Sequence, residues 1–229
     1  MRIPRIYTQQ ALTLNAEIQL EEQASNHLAK VLRMQEGREL ILFNGQGGEY
    51  SAVITSIKKK AVLATLNSFT EINQQSPLAT ELGIAISKGD RMEWLIQKAT
   101  ELGIHSISPL QSENSQLKLN AERMQKKQQQ WQQIAISACE QCGRNIVPTV
   151  NAIQPLDQWL ATVEAEKKLV LHHRSETTLT GNKPASVALL IGPEGGLSAA
   201  EISHAQKHDF QALTLGPRVL RTETAPLTA

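Results

Sequence analysis

What the chain lacks narrows it first. No window approaches the roughly 20 apolar residues that a membrane-spanning helix needs, and no apolar stretch near Met1 has the form of a signal peptide, so a soluble cytoplasmic protein is expected. Cysteine is scarce: Cys139 and Cys142 are the only two, and in a cytoplasmic chain they read as free thiols. Their C-x-x-C spacing has no second C-x-x-C or spaced histidine pair to complete a zinc site, and it closes a predicted helix, whereas a thioredoxin-like motif opens one. No metal is expected. An excess of either charge is also missing, since the formal net charge is +1, and the total points to no nucleic-acid partner. Residues 1–70 carry eight Lys/Arg against six Asp/Glu and the rest fifteen against sixteen, although a local basic face can hide in such a total. The phosphate-cradling GxxxxGK[ST] and the dinucleotide fingerprint GxGxxG are both absent, which excludes a P-loop and disfavours a nucleotide-binding oxidoreductase.

What is present is a chain of 229 residues, 41% hydrophobic, enough for one or two domains with a real core. Its most informative stretch is residues 186–225. Val187 to Ile191 is a continuous apolar run between turn residues, the pattern of a parallel strand buried on both faces. It empties into Gly192-Pro193-Glu194-Gly195-Gly196, where glycine lets the backbone turn sharply and present N–H groups to a ligand. Ser198 with Glu201 is a capping-box signature for a helix running to about His208. A second strand, Ala212 to Leu215, ends in Gly216-Pro217-Arg218, followed by Val219, Leu220, Arg221, Thr222, Glu223, Thr224 and Ala225. Ligands of open α/β sheets sit at the carboxyl ends of strands, so both glycine loops are expected to face one pocket. Ordinary strand-to-helix turns are the plain alternative; the recurrence of the loop and the polar crowding of the second argue for a site.

From the amino terminus, Arg2, Arg5 and Tyr7 suit phosphate contact and base stacking, or else mark a solvated terminus. Glu21 to Arg33 reads as a helix with Leu28, Val31 and Leu32 inward and His27, Lys30 and Arg33 on its polar face. Strands follow at Arg38 to Phe43, Glu49 to Ile57 and Ala61 to Phe69, the first two around the loop Asn44 to Gly48 and the third after the Lys58-Lys59-Lys60 run. Polar residues 71–77 read as a linker, giving domains 1–70 and 78–229. The second opens with a strand Leu82 to Ile86, a helix capped by Asp90 with Met92, Leu95, Ile96, Ala99 and Leu102 on one face, and a strand Ile107 to Leu110, fixing an α/β class. Lys88, Arg91, Glu93, Lys98 and Glu101 read mostly as helix-face charges. A long Gln-rich helix covers Asn120 to Cys142, turning Met124, Trp131, Ile134 and Ala138 inward and ending at Gly143. Pro155 to Val163 is a short helix and Lys168 to His172 a strand, whose His172-His173 end reads as polar strand-end residues near a bound cofactor.

Taken together, IGPEGG at 191–196 with Ser198 and Glu201, LGPRVLRTETA at 215–225, SKGDRMEWLIQKATELGI at 87–104 and the Glu140-Gln141, Arg144, Pro148 pattern resemble the signature segments of the RsmE family, ribosomal RNA methyltransferases of the SPOUT class. The resemblance implies a trefoil-knotted α/β domain preceded by a small PUA-like β-barrel. It implies a bent S-adenosylmethionine as cofactor, methylation of uridine N3 in 16S rRNA of the small ribosomal subunit, and a homodimer whose active site draws on both chains. Cofactor contacts would come from Leu171, from Ile191 through Gly196, and from Leu215, Gly216, Arg218, Val219, Leu220 and Thr222. Arg144, Arg218 or Arg221 would favour a deprotonated uracil, Arg144 reaching the partner's pocket, and Glu140 or Glu223 would take the proton. Arg2, Arg5, His27, Arg33, Lys88, Arg91 and Arg123 would bind RNA. The family usually has arginine where this chain has Asn114, which leaves Lys118 or Arg123 to replace it. A non-catalytic RNA-binding module is the other reading, but it leaves both glycine loops unexplained.

Overall fold

The computed structural model describes residues 3–58, 61–87, 89–115, 120–172 and 183–229; Arg2, Lys88, Lys118 and His173 lie outside the described residues. The chain forms two compact units. The first comprises Met1–Gln75 with Cys139–Val147, and the second Ser76–Ala138 with Pro148–Ala229, so the chain passes from one to the other three times.

In the first unit five strands form one sheet. They are β1 (Arg5–Tyr7), β2 (Glu17–Gln19), β3 (Glu39–Phe43), β4 (Glu49–Lys58) and β5 (Ala61–Thr70), in the order β1-β3-β4-β5-β2. Alternation explains the core: Leu40 and Leu42, Ala52 and Ile54, then Val62, Ala64 and Leu66 all turn inward at 1% exposure or less. At the β3–β4 connection Gly48 has φ +69, and a Cβ there would stand 2.4 Å from the Phe69 ring, so only glycine fits. Short β1 and β2 flank the hairpins, β1 running parallel to β3.

The expected helix over 21–33 is corrected. It is α1 (Glu22–Asn26) passing into a π-helical turn His27–Val31, with Arg33 in the left-handed region at φ 51. The wider turn breaks the 3.6-residue phase. Leu28 stays fully buried, but Val31 and Leu32 are 68% and 41% exposed.

The second unit is a parallel sheet. Its elements are β6 (Ala79–Ala85), α2 (Arg91–Glu101), β7 (Ser106–Gln111), α3 (Ala121–Cys142) as far as Ala138, its last turn belonging to the first unit, β8 (Thr149–Val150), β9 (Gln154–Pro155), α4 (Leu156–Thr162), β10 (Lys167–Leu171), β11 (Ser186–Ile191), α5 (Ala199–Lys207), β12 (Gln211–Leu213) and α6 (Ala225–Thr228). Strand order is β12-β10-β11-β6-β7-β8, with β9 also on β7. The continuous apolar runs have the cause expected of them. Leu189 and Ile191 of β11 pack in one cluster with Met92, Leu95 and Ile96 of α2 and with Trp131, while Ala188 and Leu190 pack in another with Leu156, Trp159 and Leu160 of α4. The Trp159 ring lies on the sheet so closely that a Cβ at Gly83 would meet it at 2.5 Å.

Helix ends depart from the sequence reading in two places. Asp90 makes no side-chain cap bond to α2. At α3 the side chain of Asn120 does cap, its Oδ1 accepting from Arg123 N at 3.0 Å. The glutamines of α3 have inward work as well: Gln132 Nε2 donates to Pro148 O at 3.0 Å, its Oε1 accepts from Val150 N at 2.8 Å, and Gln128 Nε2 donates to Val150 O at 2.8 Å. These side chains satisfy backbone groups of β8 that have no further strand beside them. Leu102, placed on the apolar face of α2 by its spacing, follows the last helical turn and is 68% exposed.

Candidate active site

The carboxyl ends of three neighbouring strands, β12, β10 and β11, open on one cavity of about 480 Å³, a size suited to a small organic ligand. The two glycine loops form its walls. Every residue named from the sequence for cofactor contact lines it: Leu171, the run Ile191 to Gly196, Leu215, Gly216, Arg218, Val219, Leu220 and Thr222. The sequence reading did not include Leu197, Ile202, Leu213 and Thr214, which add an apolar floor and a hydroxyl. Ile202 is half-buried on α5, and nothing local in the sequence distinguishes a pocket wall from core.

Each wall is held by bonds legible from chemistry. In the first loop Gly196 N donates to Pro193 O at 2.8 Å, closing a turn. The Ser198–Glu201 capping box is formed in both directions, Ser198 Oγ accepting from Glu201 N at 3.2 Å and Glu201 Oε2 from Ser198 N at 2.8 Å. The other oxygen of Glu201 accepts from Glu113 N at 2.8 Å, tying α5 to the segment after β7. Asn114 completes this brace, its Nδ2 donating to Gly196 O at 3.0 Å and to Gly195 O at 3.5 Å. The residue that departs from the family pattern therefore steadies the glycine loop. Between the strands, His172 N donates to Leu213 O at 3.0 Å and Thr214 Oγ1 to His172 O at 2.9 Å, fixing the β10 and β12 ends together.

Space requires glycine at 192 and is tight at 195. A Cβ on Gly192 would lie 2.8 Å from Leu197 N, and one on Gly195 would lie 3.2 Å from the Asn114 Cβ. Gly196 and Gly216 adopt φ +71 and +76, which favours glycine on backbone grounds.

Among the expected catalytic residues, Glu223 is placed in this unit beside the first loop. Arg91, at the start of α2, pairs with Glu194 and approaches Glu223, Nε to Oε2, at 3.8 Å. One guanidinium thus joins the two glycine loops, and the Arg91 side chain, 41% exposed, still faces solvent. Arg221 is exposed and does not line this cavity.

Arg144 and Glu140 belong to the first unit, and so does the arginine read as a phosphate contact, Arg5. The Arg5 side chain is 9% exposed; it pairs with Glu49 and bonds to Asn145 Oδ1, and its Nη2 donates to Gly143 O at 3.3 Å. Glu140 Oε1 accepts from Tyr7 N at 3.0 Å. Arg144 is 4% exposed and donates through Nη2 to Gln75 Oε1 at 2.7 Å. Burial raises the Glu140 carboxyl above its ordinary value, against the Tyr7 N–H, which lowers it, and burial lowers the Arg144 guanidinium. The Cys139 thiol is pushed up to about 12 by burial, despite the nearby Arg144 cation, so it is a protonated core residue. These groups hold Cys139–Val147 against the first unit. Within the first unit Arg144 is buried and Arg5 and Glu140 are half-buried, each with a partner from the same unit. His27, Arg33 and Arg123 are exposed.

Comparison with known proteins agrees along the whole chain. A family model described as an RNA methyltransferase domain matches residues 74–229, and one described as an RNA methyltransferase PUA domain matches residues 20–67. The ribosomal RNA small subunit methyltransferase E of Bacillus subtilis is 35% identical over 89% of this chain and 84% of its own. That of a Schizaphis graminum Buchnera aphidicola is 37% identical over 100% and 94%. Among solved structures, a Legionella pneumophila methyltransferase in complex with S-adenosylmethionine superposes with a TM-score of 0.95 at 45% identity, covering 100% of this chain and 95% of that one. A Neisseria gonorrhoeae ribosomal RNA small subunit methyltransferase E bound to S-adenosylmethionine gives 0.91 at 35% identity over 99% and 94%. With a parallel α/β domain, a PUA-like N-terminal domain and such likeness over its full length, the chain belongs to the RsmE family of SPOUT-class RNA methyltransferases.

Proposed function

We propose that the protein transfers a methyl group from S-adenosylmethionine to N3 of a uridine in small-subunit ribosomal RNA. The observation that carries this reading is the cavity at the ends of β10, β11 and β12, whose walls are glycine backbone in a chain that matches S-adenosylmethionine-bound relatives along its length. The residues present fit such a cofactor. The first loop tolerates no Cβ at Gly192, which lets backbone amides approach a ligand, and Leu197, Ile202 and Leu220 offer apolar surface for an adenine ring.

S-adenosylmethionine supplies, when bound, a methyl group already activated on a sulfonium. The chain's own residues then have three tasks. Gly192 to Gly196 and Leu215 to Leu220 hold the cofactor on two sides, so that the nucleophile meets the methyl in line. Glu223, beside the first loop, accepts the N3 proton that uridine carries at neutral pH. Arg218, which lines the cavity, and exposed Arg221 are the cations available to stabilise negative charge on the uracil carbonyls. In the first unit, exposed His27 and Lys30 on the π-helical turn and exposed Arg33 just after it supply RNA phosphate contacts, whose loss makes the salt dependence of binding shallower. A homodimer, the trefoil knot and a cytoplasmic location complete the reading; with Arg144 buried in its own unit, the groups for the chemistry come from 191–223. Among the described residues no helix is long and apolar enough to cross a membrane.

The test is calorimetry with S-adenosylmethionine together with transfer of labelled methyl to unmodified small subunits, followed by mapping of the modified base. A Gly195→Val variant that stays folded is expected to lose cofactor affinity. Unchanged affinity, or label on a base other than uridine, refutes the corresponding part.

A further inference from the structure

Three tryptophans occur in the chain, and they are not alike: Trp131 and Trp159 are each 2% exposed, whereas Trp94 on α2 is 43% exposed. Trp94 faces an open basin of about 930 Å³ whose other walls include Asp90, Arg91, Glu194, Glu223 and Thr224. Glu194 is a wall of the cofactor cavity as well, and Thr222 of that cavity precedes Glu223 in the chain, so the two spaces adjoin.

Three carboxylates against one guanidinium make the basin a poor seat for phosphate. Its polar rim is equally unsuited to an apolar helix of a second copy, which would leave those charges desolvated. One aromatic plate ringed by donors and acceptors is the arrangement that recognises an unstacked base. We infer that the Trp94 basin holds the target pyrimidine, the indole stacking on its face while Arg91 and Glu223 read its edge. The inference rests on the methyl-transfer reading above and names the substrate site it leaves open. A uracil presents a carbonyl, N3–H and a second carbonyl along one edge; Arg91 donates to a carbonyl and the Glu223 carboxylate accepts from N3–H. The Arg91 pairing with Glu194 and Glu223 holds both readers in place beside the cofactor loop. Trp94 is thus a positioning and specificity residue.

Because the other two indoles are buried, quenchable tryptophan emission reports Trp94. Uridine is expected to quench the wild-type protein saturably and to leave Trp94→Leu unchanged; no quenching of wild type overturns the inference. In steady-state methylation of small subunits, Trp94→Leu should raise KM for the subunit or lower kcat/KM by about 5- to 150-fold, the worth of one base–aromatic stack. Its calorimetric affinity for S-adenosylmethionine should be unchanged, and Trp94→Phe should keep most of the activity. Equal kcat/KM for the Leu and Phe variants overturns the proposal. So does light scattering in which Trp94→Leu splits a wild-type dimer, since Trp94 then serves contact between copies. A wild-type protein that binds S-adenosylmethionine yet methylates no subunit defeats the parent reading, which is a separate outcome from any difference between variants.

Discussion

Alanine at Gly192 offers a sharp examination of how the cofactor loop works. Gly192 does not need the left-handed region, so alanine is acceptable to its backbone; the difficulty is space. The added methyl would stand 2.8 Å from Leu197 N, 3.1 Å from Gly196 C and 3.0 Å from Leu197 Cγ, and the first two are backbone atoms of the loop itself. Rotamer changes cannot relieve a clash with backbone, so the turn closed by Gly196 N and Pro193 O must open. Overpacking of this kind costs about 1–3 kcal/mol. If the closed loop is the form that binds, S-adenosylmethionine affinity falls by about 5- to 150-fold. Gly196 provides the contrast. A Cβ there meets nothing within 4 Å, and φ +71 is the only obstacle, costing alanine about 1–2 kcal/mol. Asparagine tolerates that conformation, so Gly196→Asn should bind better than Gly196→Ala, whereas Gly192→Asn should gain nothing over Gly192→Ala. Calorimetry on variants whose melting confirms folding measures all four. A Gly192→Ala affinity within twofold of wild type refutes the steric account.

Asn114→Ala removes two donations to the glycine loop, and at about 0.5–1.5 kcal/mol for such bonds it should weaken cofactor binding by about 2- to 12-fold in the same calorimetry, with small change in Tm. Arg5→Ala leaves Glu49 and Asn145 in a nearly closed site without their donor, so chemical denaturation should show a loss of about 3–5 kcal/mol, partly recovered by adding Glu49→Gln; a loss below about 1 kcal/mol would return Arg5 to a surface role. Glu140→Gln keeps an acceptor for Tyr7 N–H but cannot ionise. Burial raises the folded-state value of Glu140, so the stability it contributes is fully present below the unfolded value near 4.5 and is lost as pH rises through the folded one. The Gln variant's Tm should therefore gain on wild type between pH 4.5 and neutrality, and a constant gap across that range would refute the assignment.

Much of the architecture was legible because its causes are local. The Ser198–Glu201 box needs only three residues' separation, and it forms as read. Ala188 to Ile191 are buried on both faces, as a continuous apolar run in a parallel sheet must be, with Val187 partly covered at the strand's start, and the glycines at 192, 195, 196 and 216 mark turns with little room or backbone freedom for a side chain. Charged residues were harder, since nothing in a guanidinium's neighbours in sequence tells which partner reaches it. Arg5, Arg91 and Arg144 all read as contacts for RNA or substrate, and the structure gives each an internal partner that the sequence did not show: Arg5 pairs with Glu49, Arg91 joins Glu194 and Glu223, and Arg144 bonds Gln75. The phase of the helix over 21–33 was lost for a related reason: a π turn widens where tertiary packing holds Leu28 inward, and Val31 and Leu32 are carried out into solvent. Asn114 looked like a missing arginine until folding brought it, across 82 residues, onto the carbonyl of Gly196. By itself the sequence determined the longer strands, the Ser198–Glu201 cap and the glycine loops, through periodicity and backbone freedom, while the short strands β1, β2, β8 and β9 carry no periodicity long enough to read. Only tertiary structure decided which polar groups are consumed in holding the molecule together and which remain facing the two cavities, because that depends on long-range approach within a few ångströms.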